Sequence, residues 1–203
     1  MVTDARGACP RGTQRTQRTQ RTQRTGQAGW VAAVVAAALL LAGCSPTFNW
    51  REVRPPGSAF RAMLPCKPDA AQRTVALAGR PVALDMLSCD TGGLTFAVAS
   101  MQAPQGLATD ELLAAWQSAT QASLKVPAAQ VQAWVPDVRL GPGSGAALTA
   151  WRAAGARADG SPVQAHVAWL YRGADVVQLA VYGPIAPAVM AQWLEGVAAD
   201  ATP

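Results

Sequence analysis

Residues 163–182 read VQAHVAWLYRGADVVQLAVY, and this stretch decides the fold. Val163, Val167, Trp169 and Tyr171 alternate with Gln164, His166 and Ala168, which is the period-two pattern of a strand. Arg172-Gly173-Ala174 then turns the chain into a second apolar run, Asp175 to Tyr182. A three-residue turn places Val167 beside Leu179 and Trp169 beside Val177, so that the apolar faces of the two strands agree. Gly183-Pro184 ends the hairpin, and Pro187 suits the first turn of a closing helix with the apolar stripe Val189, Met190, Trp193, Leu194 and Val197.

The same reading extends upstream. Ala59 to Leu64 is a short strand ended by Pro65. Thr74–Leu77 and Val82–Leu87 flank the turn Ala78-Gly79-Arg80-Pro81, and Leu94 to Met101 follows the turn Asp90-Thr91-Gly92-Gly93 with Leu94, Phe96 and Val98 on one face. Thr109 reads as a helix N-cap, with Asp110 and Glu111 in the first turn and Leu112, Leu113, Trp116, Ala119 and Leu124 as the buried stripe. Lys125 falls in the last turn and Pro127 stops the run. Val131 to Leu140 is extended but broken at Pro136. A loop at 141–145 leads to the strand Ala147–Ala153, with a hairpin turn at Asp159-Gly160. Strands, helix, strands, helix make an α+β domain with a largely antiparallel sheet and two packed helices.

Cys66 and Cys89 lie almost symmetrically about the Gly79 turn. Folding that hairpin brings their sulfurs together on adjacent strands, and a disulfide follows. A reactive thiol pair or a metal site is the competing reading, but no Cys-x-x-Cys and no nearby histidine supports it.

The N-terminal part has another character. Residues 14–25 repeat Gln-Arg-Thr four times with nothing apolar to bury, as a tandem expansion or a start site placed too far upstream would; a functional arm is the other reading. An uncharged apolar run then spans 28–43, 16 residues, short for a permanent membrane span and right for a secretory signal. The chain carries net charge +5. Six arginines against Asp4 before Cys44 account for all of it, which leaves a neutral remainder with no electrostatic case for nucleic acid.

Leu41-Ala42-Gly43-Cys44 resembles the lipobox of bacterial lipoproteins. The resemblance implies diacylglyceryl attachment at Cys44, cleavage before it and N-acylation, which together hold a protein on a membrane where one acyl chain would not. Ser45 is not the aspartate that retains such proteins on the inner membrane, so the resemblance implies the outer membrane, facing the periplasm. The expected organisation is a leader and signal at 1–43, an anchor and Pro-rich tether at 44–58, one domain at 59–199 and a tail at 200–203. The order of elements, with Leu64-Pro65-Cys66-Lys67-Pro68 after Phe60 and the run Tyr171 to Pro184 before a last helix, resembles the PsbP/Mog1-like envelope proteins. That resemblance implies a binding or assembly module and transfers no functional residue.

Catalytic sets are sparse. His166 is the chain's sole histidine. It lacks a recognisable nucleophile and orienting partner, and Ser144 in Gly143-Ser144-Gly145 has the wrong spacing for a nucleophile elbow. Lys67 and Lys125 are the only lysines. Both read as solvated turn charges, and the 141–145 loop precedes a strand rather than a phosphate-binding helix. The expectation is a non-enzyme without cofactor or metal. Trp134, near Pro136 in an irregular segment, is the candidate partner contact. A small-ligand or lipid binder is the alternative, and an unrecognised hydrolase the third.

Overall fold

A computed structural model describes residues 47–141 and 144–200. The lipobox, the repeat and the apolar run lie outside the described residues. Among the described residues, ten strands and two α-helices form three layers. The middle layer is a seven-stranded sheet in the order β3-β4-β5-β9-β8-β7-β6. Its strands are β3 Asp69–Leu77, β4 Arg80–Thr91, β5 Leu94–Gln102, β6 Gln132–Ala133, β7 Ala147–Ala156, β8 Pro162–Arg172 and β9 Asp175–Tyr182. A second, three-stranded sheet holds β1 Arg51–Val53, β2 Phe60–Leu64 and β10 Ala198–Ala199 in the order β1-β2-β10. Every pairing among the described residues is antiparallel. The expected class, α+β with a largely antiparallel sheet and two helices, is what the chain adopts.

The helices lie on opposite faces of the large sheet. Helix α1, Thr109–Ser123, buries Leu112, Leu113 and Trp116 in one core with Met101, Trp151, Val167, Trp169 and Val176. Helix α2, Pro187–Glu195, buries Trp193 and Leu194 in the other core, with Phe60 and Leu64 of β2 against Phe96, Val98, Leu170, Leu179 and Val181. A sheet covered on both sides needs strands apolar on both sides, and the first seven residues of β9 are all buried.

That double burial corrects the register expected for β8 and β9. Val167 faces Ala180 and Trp169 faces Gln178, one position away from the expected partners. Arg172 pairs with Asp175, so the turn is two residues, Gly173-Ala174, and Gly173 adopts φ 58°. Leu179 and Val177 lie on the α2 side, beside Ala168 and Leu170. Matching apolar faces cannot choose a register when both faces are apolar. Gln178, a buried polar residue within β9, donates to Thr120 Oγ1 at 3.0 Å, and that hydroxyl donates to the Trp116 carbonyl at 2.9 Å. This buried pair pins β9 to α1.

Further differences are local. The N-cap of α1 is Ala108, not Thr109, whose hydroxyl donates to the Gly173 carbonyl at 2.8 Å. Lys125 lies past the helix in a left-handed conformation, φ 53°. Its N–H reaches Ala122 O and that of Val126 reaches Gln121 O, the bond pair of a Schellman stop. Part of the expected tether is folded. Arg51, Glu52 and Val53 pair with Leu64, Met63 and Ala62. Phe48 and Trp50 stand edge-on to Phe96, with ring centroids at 6.5 and 6.0 Å. A strand this short shows no alternation, so its sequence gives only proline punctuation. Residues 48–53, upstream of residue 59, therefore pack as part of the domain, and Asp200 is held as well: its N–H donates to Ala59 O, and its carboxylate pairs with Arg54 at 2.7 Å and Arg61 at 3.1 Å.

Cys66 and Cys89 stand at disulfide distance, with Cα atoms 5.9 Å apart. Cys89 is on β4 as expected. Cys66 is in the bend between β2 and β3, not on a strand, because β3 begins at Asp69. The bond thus joins the segment that leaves the small sheet to the large sheet.

Candidate functional site

One corner of the large sheet is left uncovered on the α2 side. The β7–β8 register pairs Arg152 with His166 and Ala154 with Gln164, and β6 adds Gln132 opposite Arg152. His166 faces Val181, which faces Phe96, which faces Cys89. One row of side chains therefore crosses six strands, polar at the β6 edge and apolar from Val181 inward. Trp134 closes the corner. Its N–H bonds Ala150 O at 3.2 Å, and its half-buried ring meets the His166 ring edge-on at 5.2 Å. The next residue, Val135, is 90% exposed.

Between these groups lies an open groove of about 570 Å³, lined by residues including Gln132, Arg152, Gln164 and His166. Arg152 Nε donates to Gln132 Oε1 at 3.3 Å. Among the described residues this arginine has no ion pair. Burial, with the Arg152 charge adding to it, holds the His166 imidazolium below its ordinary 6.5. Its Nδ1 is buried and makes no hydrogen bond among the described residues. A general base needs an orienting acceptor on one ring nitrogen and a reacting proton at the other; here the ring is positioned by an aromatic edge and a cation. The arrangement suits recognition of a group that is apolar on one side and anionic on the other.

The structure brings Trp134 and His166 together and leaves the other sequence candidates elsewhere. Cys66 and Cys89 lie toward the β4 side of the sheet, Lys67 in the bend before β3, and Lys125 beyond α1. Cys44 lies outside the described residues. Arg152 was not among the expected site residues. The Asp159-Gly160 turn contained the signal, since folding the hairpin about Asp159 sets residue 152 opposite 166. Among the described residues no three His, Cys, Asp or Glu side chains converge as a metal site would require. No protein-family model, curated protein or solved structure matches the chain.

Proposed function

We propose that the chain is a bacterial lipoprotein, acylated at Cys44, whose domain is a non-enzymatic protein-binding module held at the periplasmic face of the outer membrane. The anchor rests on Leu41-Ala42-Gly43-Cys44 after an uncharged apolar run. The PsbP/Mog1-like reading of the domain is supported by its antiparallel sheet and the position of its two helices along the chain.

The observation that carries the binding role is the apolar pair Trp134-Val135 in the segment that closes the open corner. Val135 stands 90% exposed beside a tryptophan that is only half-buried, on a segment without regular structure. Among the described residues Val135 is the large apolar side chain left exposed, so it is available to a partner. A photo-reactive residue at Val135 in intact cells is expected to capture one partner, and Trp134→Ala to abolish the adduct. Only uncross-linked protein under several growth conditions would remove the proposal. The anchor has a separate test: Cys44→Ser is expected to abolish acyl labelling and leave the precursor uncleaved.

A second reading, a small-ligand or lipid binder, is favoured by the open groove of about 570 Å³. Native mass spectrometry of residues 45–203 with added lipid extract separates the two, because a ligand adds mass and a protein-binding surface does not.

A further inference from the structure

We propose that the Trp134–Arg152–His166 corner takes a carboxylate side chain from an extended segment of the partner protein, with Arg152 as its principal ligand. The inference rests on reading this corner as a partner-contact surface and adds the chemistry of what it contacts.

Arg152 supplies the first argument. Nε is engaged by Gln132, but neither terminal amino group has an acceptor among the described residues, and no carboxylate forms an ion pair with this side chain. A guanidinium whose fork is open presents two parallel N–H donors, the geometry that a carboxylate fills. Gln132 and Gln164 add amide donors on either side of the groove, and His166 adds no negative charge. The corner is thus cationic and rich in donors, and an anion would relieve its electrostatic imbalance.

Trp134 supplies the second. A free anion in the groove would leave the Trp134 ring half-exposed, as it is now. An extended segment with acidic and apolar residues covers both groove and ring, because side chains two apart on a strand emerge on the same face roughly 7 Å from one another. Such a ligand places its carboxylate on Arg152 and an apolar neighbour on Trp134, whose ring stands beside His166, the register partner of Arg152. Charge complementarity and the adjoining apolar shoulder together select a peptide segment over a small acid.

The sole histidine is the reporter, giving one ring signal in a protein labelled at histidine. The full-length protein in detergent micelles is titrated with acetyl-Val-Glu-Val-Glu-Val-amide, with its glutamine counterpart, and with glutarate. The glutamate peptide is expected to move the His166 signal and to bind about ten-fold tighter than the glutamine peptide. Arg152→Gln, checked for an unchanged urea midpoint at about pH 8, where the ring is neutral in both states, is expected to remove that difference. Equal binding of the two peptides, no binding of either at millimolar concentration, or a difference that survives Arg152→Gln overturns the proposal. Glutarate binding as tightly as the peptide overturns the commitment to a protein segment. If the peptides bind equally but the Val135 cross-link is retained, the contact surface stands and only its carboxylate chemistry falls; if the cross-link is also lost, both fall.

Discussion

Arg152 and His166 are register partners on neighbouring strands, and the cation beside the ring acts with burial to disfavour the imidazolium. The sign of the resulting pH effect is fixed. Above the unfolded value of 6.5 the ring is neutral in both states and contributes nothing. Below it the unfolded chain takes up a proton that the folded chain resists, so stability falls as pH drops toward the folded value. Arg152→Gln is expected to raise the His166 midpoint and to lessen that loss. Titration of the histidine ring signal, with urea midpoints from about pH 5 to 8, checks both. An unchanged midpoint in the variant would show that the guanidinium does not act on the ring.

The Cys66–Cys89 bond closes a sequence separation of 23. Opening a loop of that length is expected to cost about 3 kcal/mol, chiefly through the freer unfolded chain. Urea unfolding of residues 45–203 with and without reductant measures it. Identical curves, with both thiols confirmed as oxidised at the start, would contradict this estimate.

Phe48 and Trp50 make residues 47–53 part of the domain. Trp50→Ala is expected to destabilise the domain by about 2 kcal/mol, less than a fully buried tryptophan would because the ring is half-buried. Deletion of 47–53 removes β1 as well and costs more. A segment serving only as a spacer would tolerate both changes, and thermal unfolding tells the two roles apart.

The β3–β4 turn places Ala78 at φ 48° beside Gly79 at φ 71°. Two left-handed residues in a two-residue hairpin are the signature of a type I′ turn, which prefers asparagine first. Ala78→Asn is expected to stabilise the domain by about 0.5–1 kcal/mol. A lowered urea midpoint would argue against this turn geometry.

The sequence shows the glycine turns clearly. Gly79, Gly92-Gly93, Gly160 and Gly173 each sit where a hairpin reverses. Both helix stripes are also legible, because Leu112, Leu113 and Trp116 recur at helical spacing, as do Trp193 and Leu194 with the residues before them. The β8–β9 register was not legible, since a strand buried on two faces carries no mark of which residue faces which partner. The three-residue β1 and two-residue β10 escape notice for a different reason: each pairs with β2, and only β2 explains them. Arg152 escaped because its significance lies in its cross-strand neighbour rather than in its own segment. Trp134 was found from its setting near Pro136, and its contact with His166 depends on β7 lying between them.

The strand order has a consequence for assembly. β3, β4 and β5 form one meander, and β6 to β9 form another; the two are joined in the large sheet only along β5 and β9. That seam matches residues 95–102 with 175–182, so it cannot close until the chain is available through residue 182. Each meander can fold from local contacts, but the union between them carries the loop-closure entropy of the intervening chain. The seam is therefore expected to close late, and a chain still being delivered from its N-terminus cannot join its two meanders until β9 arrives.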